Sequence, residues 1–400
     1  MEINSSGRAK LERRAMGIHG LTKLLADSAP SSQKEVAYDS LFGRKVAVDA
    51  SMHLYQFLAV VGRQGDQTLT SESGETTAHL QGMFMRTARM LETGIKPAYV
   101  FDGKPPTLKG NELAKRSSKK ADAEEKAEEA RDANDQEELE RQAKRQLTVT
   151  SQHTQEVKRL LRAMGVPVLD SPCEAEASCA ELVKRQYAWA VASEDMDTLC
   201  FGAPILLRNM MAPQSQNKPV LQVEIDKALS ELEISQQQFV DICLLCGSDY
   251  LPRIPNIGPK SALNLVKKHG SMESVLSSLD KNKYSIPDEY PHAEARELFM
   301  NAEVLELSAL EQGQLAWSEP NEEEIVNFLV HEKTFNEDRV RKTVQRIKKA
   351  KSKGQQGRLE NFFGQASTVR STTNANSDSK KRNSPQQQQQ KGGSKKQRRR

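Results

Sequence analysis

The residues 170–202, DSPCEAEASCAELVKRQYAWAVASEDMDTLCFG, hold two acidic pairs, Glu174 with Glu176 and Asp195 with Asp197. Ser171 suits a helix N-cap and Pro172 a first helical position, which would put both glutamates in the first turn. Residues 188–192 (AWAVA) are short and apolar, as a buried strand is. The aspartates after them would emerge at that strand's C-terminal end, where open α/β sheets place their sites. Taken alone, the stretch has a plainer reading: Glu174 closes a Ser-x-x-Glu capping box and the other acids are solvated.

The other strand ends tip the balance toward a metal site. Residues 45–49 (KVAVD) end in Asp49 and residues 98–102 (AYVFD) in Asp102. Between them, apolar spacing predicts a helix over 52–61 and another carrying Leu80, Met83, Phe84, Thr87 and Leu91, closed by Gly94. Ile18, Leu21, Leu24 and Leu25 predict an earlier helix that Pro30 stops; Val157, Leu160, Leu161 and Met164 predict a later one capped by Gly165, before a strand at 166–170. This alternation predicts an α/β fold: a mostly parallel central sheet flanked by helices, with right-handed crossovers. Past Asp197 the reading is a loop containing Pro204, Pro213 and Pro219. A helical unit follows from residue 236; its first helix ends at Gly247, and a further acid, Asp249, stands just beyond in CGSDY. Ile257-Gly258-Pro259-Lys260 then forms a turn entering a helix, whose free N–H groups and lysine suit a nucleic-acid phosphate, without sequence preference.

Residues 112–148 are rich in Ala, Glu, Lys, Arg and Gln and poor in large apolar side chains. They predict helices with no face for a core: a solvated hairpin, a disordered insertion, or a gate bringing Lys109, Arg116, Lys119 and Lys120 to a phosphodiester. The chain of 400 residues has room for two or three folding units, and no apolar run of membrane-spanning length. Its 5 cysteines are irregularly spaced, which argues against a disulfide framework; Cys243 and Cys246 read as core packing. The net charge of +4 includes nine basic residues and no acid between Lys380 and Arg400, leaving −5 on residues 1–379. Any nucleic-acid surface must therefore be local.

MGIHGLTKLL, GRKVAVDASMHLYQF, GIKPAYVFDGKPPTLK, EAEASCAELV, SEDMDTLCFG, GSDY and IGPK resemble, in order, the sequence blocks of the eukaryotic flap endonucleases, within the 5′ nuclease superfamily. The resemblance runs from Met16 to about Phe363. It implies that Asp49, Asp102, Glu174, Glu176, Asp195, Asp197 and Asp249 hold two divalent metals. It implies contacts of Lys109 and Arg116 with the scissile phosphate, and stacking of Tyr55 on a base near the cut. Arg63, Arg86, Gly247, Gly258 and Lys260 would contact DNA, and Lys333, Phe335 and Arg339 would form a pocket for a one-nucleotide 3′ flap. Residues 104–148 match the helical arch that a 5′ strand threads. Asn256 departs from the glycine usual before IGPK; asparagine tolerates left-handed backbone angles, so the expected effect is small.

Electrostatics supports the same site. Two carboxylates roughly 5 Å apart repel by about 3 kcal/mol at an effective dielectric near 20, so seven require cations. Oxygen ligands select Mg²⁺, with Mn²⁺ able to substitute, and no histidine cluster or Ser/His/Asp set offers a rival mechanism. Gln356, Leu359, Phe362 and Phe363 form Q-x-x-L-x-x-F-F, which resembles the peptide that binds the replication sliding clamp, proliferating cell nuclear antigen. The expected organisation is a disordered extension at 1–15, a nuclease core at 16–235, a helical duplex-binding unit of helix–two-turn–helix type at 236–350, a clamp peptide at 351–366 and a disordered basic tail at 367–400. The expected enzyme is a monomeric Mg²⁺-dependent 5′ flap endonuclease and 5′–3′ exonuclease of replication and repair, nuclear (nucleolus and nucleoplasm), with mitochondria a further location and no membrane partner. Another superfamily nuclease acting on ends, bubbles or junctions, and a non-catalytic clamp-bound adaptor, are the alternatives.

Overall fold

A computed structural model of the protein describes residues 18, 20–61, 77–133, 135–146, 148–213, 216, 218–280, 282–287, 289–306 and 315–362. Met1–Gly357 forms one compact unit; of a second, Arg358–Arg400, only 358–362 are described, as helical backbone. The expectations for 1–15 and 367–400, and for Arg63 and Phe363, lie outside the described residues.

The centre of the first unit is a seven-stranded sheet in the order β1-β7-β6-β5-β2-β3-β4. Its strands are β1 (Gln33–Val36), β2 (Lys45–Asp49), β3 (Lys96–Phe101), β4 (Val168–Asp170), β5 (Ala190–Ala192), β6 (Ile205–Arg208) and β7 (Val220–Glu224). β4, β3, β2, β5 and β6 run parallel, while β7 pairs antiparallel with both β6 and β1. Alternating side chains divide the core in two. Ala47, Val191 and Leu206 face one cluster with α1 (Leu21–Ser28), α7 (Ala175–Lys184), α10 (Gln236–Cys246) and α11 (Pro259–His269). Val46, Val48, Ala190, Ala192 and Leu207 face the other, with α2 (Ala50–Val61), α3 (Ala78–Glu92), α6 (Ser151–Ala163), α14 (Glu322–Val326) and α15 (Glu337–Phe362). No described helix is long and apolar enough to cross a membrane.

The strand ending in Asp49 matches the sequence expectation, whereas three others differ from it. β3 starts two residues earlier and stops before Asp102, β4 starts at Val168, and β5 starts at Ala190. The loop expected past Asp197 instead carries β6 and β7. Each is a short strand that starts directly after a proline, Pro204 or Pro219, and pairing across the sheet outweighs that breaker. β1 (QKEV) has no apolar alternation because it is an edge strand.

The polar insertion folds as two helices, α4 (Gly110–Asp132) and α5 (Gln136–Gln146), packed on one another. It does have a face to bury, made of small residues: Ala123, Ala127 and Ala130 at helical spacing, with the buried Gln142. Ser171 is not the cap of the next helix. Its hydroxyl donates to the Glu174 carbonyl, Glu174 occupies the N-cap position of α7, and the Asp102 carboxylate accepts from the Ala175 amide at 2.8 Å. A carboxylate from a neighbouring strand thus caps α7.

That junction leaves no room at Gly103. A methyl there would meet the Ser171 carbonyl oxygen at 2.2 Å and the Pro172 oxygen at 2.4 Å, and the Gly103 amide donates to the Cys173 carbonyl. Gly103→Ala is expected to cost about 1–3 kcal/mol through overpacking and to part Asp102 from α7. Chemical denaturation together with a Mg²⁺ titration checks it; unchanged stability and cation affinity would refute the account.

Candidate metal centre

The acids gather where the chain reverses its direction of travel across the sheet. From β2 it adds β3 and β4 on one side; it then returns to add β5 and β6 on the other. The crevice beyond the strand ends at such a switch point is where open sheets bind ligands. Asp49 is the last residue of β2, Asp102 follows β3, and Asp195 and Asp197 follow β5. Glu174 and Glu176 sit at the N-terminus of α7, and Asp249 two residues past Gly247.

Hydrogen bonds fix Asp49, Asp195 and Asp197 by one carboxylate oxygen or both. Asp49 accepts from the Met52 amide at 3.1 Å and the Ser193 hydroxyl at 2.9 Å. The same Ser193 oxygen accepts from the Asp195 amide at 3.1 Å, and Asp195 accepts from the Asp197 amide at 3.0 Å. Asp197 in turn accepts from the Ile18 amide at 3.1 Å. Ser51 accepts from the Asp102 amide. Ser51 and Ser193 were missed by sequence reasoning, although both flank expected ligands, in DASMH and in SEDMD. Glu194, within the same acidic run, is turned away to the Asn209 amide.

One oxygen each of Asp102, Glu174 and Glu176 lie within 4.8 Å of one another, the group of three that could hold a cation among the described residues. The wider set is felt as repulsion. Burial, then Asp102, raises Asp49 to about 7. Burial, then Asp49 and Asp102, pushes Glu176 well above the carboxylate range, and burial with Asp195 does the same to Asp197. Two cations answer part of this charge. Lys109 Nζ lies 2.7 Å from Glu174 and 3.6 Å from Asp249, and Arg116 lies 2.8 Å from Asp249. Burial by itself would lower the Lys109 pKa; Glu174, Glu176 and Asp249 raise it instead, so the ammonium stays charged.

The other expected residues are spread more widely. Tyr55 is half-buried on α2. Arg86 lies 5.3 Å from the centre of the Phe57 ring and donates to the Met211 carbonyl, so its guanidinium is engaged in packing. Gly247 has φ +91, and a methyl there would meet Arg253 Cβ at 2.7 Å. Gly258 precedes α11 in extended geometry, and Lys260 is exposed, 3.3 Å from Asp27. Asn256 takes φ +66, the left-handed angle anticipated for it. Phe335 packs against the core, Arg339 is exposed, and Lys333 is paired with Glu156 at 2.8 Å. Gln356, Leu359 and Phe362 fall on α15, with side chains outside the described ones.

The site fits divalent cations on its own evidence: the donors are carboxylate oxygens, they repel one another, and Glu174 Oε1 is buried without a partner. A pH signature follows from Asp49. Folding raises its pKa from 3.8 to about 7, so its contribution to stability is present below about pH 4 and lost as pH climbs through about 7. Cation-free protein is expected to lose thermal stability across that window more steeply than its Asp49→Asn variant. Mg²⁺, which competes with protons, should stabilise it more at the upper end than at the lower. Parallel melting curves of the two proteins against pH check this; equal slopes would refute it.

Residues 16–123 match the XPG N-terminal domain and residues 165–249 the XPG I-region. The chain is 55% identical over 358 residues to Flap endonuclease 1 of Micromonas commoda, covering 90% of this chain and 92% of that protein. It is 57% identical over 348 residues to Flap endonuclease 1 of Chlamydomonas reinhardtii, covering 87% of each. The solved flap endonuclease-1 from Methanococcus jannaschii aligns with a TM-score of 0.62 at 33% identity, over 82% of this chain and 98% of that one. The family models fall on the segments that carry the acids, and the relatives span nearly the whole chain: it belongs to the eukaryotic flap endonucleases, a family of metal-dependent nucleases.

Proposed function

We propose that this flap endonuclease hydrolyses one DNA phosphodiester at the base of a 5′ flap, leaving a 5′-phosphate and a 3′-hydroxyl, with its seven acids holding two Mg²⁺. The observation that carries this reading is that the carboxylates gather at the C-terminal ends of β2, β3 and β5 while Lys109 and Arg116 reach across them. When bound, the ions supply charge to clamp the scissile phosphate and lower the pKa of an attacking water. Asp49, Asp102, Glu174, Glu176, Asp195, Asp197 and Asp249 would together hold that pair. Lys109 and Arg116 exchange their carboxylate partners for the oxygens of the reacting phosphate and stabilise its added charge. Tyr55 stacks on the base beside the cut. Arg63, Arg86, Gly247, Gly258 and Lys260 hold duplex backbone, and the α4–α5 hairpin flanks the 5′ strand.

The wider setting rests on the chain's own motifs. Gln356, Leu359, Phe362 and Phe363 dock into the sliding clamp, which places the activity in Okazaki fragment maturation and long-patch base excision repair. The basic clusters at 380–382 and 395–400 direct the protein to the nucleus. Lys333, Phe335 and Arg339 receive the single 3′ nucleotide. A nuclease specialised for ends, bubbles or junctions would share the acids, but the hairpin and the clamp peptide favour flaps.

Asp197→Asn is expected to abolish cleavage of a labelled 5′-flap duplex and leave flap binding largely intact, because affinity comes mainly from backbone phosphates. Near-normal single-turnover cleavage by this variant would sink the two-ion assignment. Phe362→Ala with Phe363→Ala should remove the heat of clamp binding in calorimetry; an unchanged isotherm means the peptide has been misread.

A further inference from the structure

Lys333 is held by an arrangement that the cleavage chemistry does not require. The helix before it widens into a π turn over Asn327–Glu332, and Thr334 just after it takes φ +58. A β-branched residue rarely adopts that left-handed angle, and such strain persists only where the surroundings enforce it. Here the Thr334 amide donates to the Val330 carbonyl at 3.1 Å and the Phe335 amide to Leu329 at 2.8 Å. The lysine is thereby delivered to Glu156 of α6, with Nζ 2.8 Å from Oε1, and the two side chains are only 12% and 13% exposed.

Glu156 is the hub of a wider clasp. Its Oε1 also accepts from Gln152 at 2.9 Å, and its Oε2 meets Nε2 of His79, in the first turn of α3, at 3.0 Å. His79 is 1% exposed, its ring lies 4.6 Å from that of His153, and its Nδ1 has no partner. Burial keeps His79 neutral, so Nε2 donates and the only formal charges in the clasp are the carboxylate and the ammonium. Burial would push the Glu156 pKa up, but Lys333, Gln152 and His79 lower it, so the pair stays ionised and locally neutral.

We propose that Glu156 is a positioning residue for the 3′-nucleotide pocket: it fixes Lys333 and cancels its charge, so that the pocket accepts a 3′-hydroxyl end and rejects a 3′-phosphate. A terminal phosphate gains little from a lysine already paired at 2.8 Å and must also approach the carboxylate. A hydroxyl, uncharged, can donate to the carboxylate and accept from the ammonium. Glu332, beside Lys333, is likewise paired, with Arg159 at 2.7 Å, so neither that acid nor that arginine stands as an uncompensated charge there. This inference rests on the reading of Lys333, Phe335 and Arg339 as that pocket.

The test uses the full chain with Mg²⁺ and three 5′-flap duplexes: no 3′ flap nucleotide, one ending in a 3′-hydroxyl, and one ending in a 3′-phosphate. The wild type should cleave the 3′-hydroxyl substrate with kcat/KM about tenfold above the 3′-phosphate one. Glu156→Gln should bring that ratio to about one or invert it, and Glu156→Asp should restore part of it. Structural damage lowers both rates together and leaves the ratio alone, so a loosened fold cannot mimic the result. A Glu156→Gln ratio equal to the wild-type one overturns the proposal while the pocket reading stands. A wild type indifferent to any 3′ nucleotide overturns the pocket reading and this inference with it.

Discussion

Mutual repulsion among buried carboxylates is the constraint that organises this molecule. Carboxylates a few ångströms apart in a poorly solvated crevice oppose folding by kilocalories, and raised pKa values at Asp49, Glu176 and Asp197 express that opposition. The fold tolerates it because the acids stand on elements held by something else. Asp49 ends a strand hydrogen-bonded on both sides, by β3 and β5. Glu174 and Glu176 begin a helix packed along its length, with Ala177, Cys179, Ala180 and Leu182 buried. The backbone positions are thus paid for by the apolar core, and the charge is left for cations to balance.

The same economy links the site to the distant helical elements. Ile18 caps Asp197 by its amide, and α1 then runs to α11, where Gly20 at φ +77 leaves space for Pro259 and Asp27 meets Lys260. The turn that suits a duplex phosphate and the acid that suits a metal are therefore joined through one eight-residue helix. Asp241 performs a comparable task within the helical elements: it is fully buried, accepts from the Met272 amide, and is held by Arg296 at 2.6 Å. Removing either partner of such a pair leaves a buried charge uncompensated, a loss of several kcal/mol. Neither contact is encoded locally; both depend on elements far apart in sequence.

That difference in range explains what was legible beforehand. β2, α10 and the acidic strand ends could be read because each is announced by its own residues: an apolar run, a capping serine, a terminal aspartate. Ser235 closes a capping box with Gln238, and α10 accordingly begins and ends where the spacing placed it. The edge strands could not be read, because β1 is polar and β6 and β7 exist only through pairing across the sheet. Ser171 misled for the same reason. It has every local feature of an N-cap, yet the Asp102 carboxylate, 73 residues before the Ala175 amide it accepts from, satisfies the helix instead. At the site, the ligands were legible by residue type, whereas the serines that orient them and the clasp around Lys333 were visible only in three dimensions.

The α4–α5 hairpin completes the contrast. Its buried face consists of alanines and a glutamine, so each helix loses little by separating from the other, and such weakly packed elements open more readily than a sheet does. Lys109 and Arg116 stand at its base, next to the carboxylates, rather than at its tip. Motion of the hairpin then changes access to the crevice while moving its two cations least, since they are nearest the fixed end. Catalysis needs charges placed to a fraction of an ångström, whereas strand entry needs a wide opening. On the proposed reading, in which the hairpin flanks the 5′ strand, cations placed at its base let one element meet both demands.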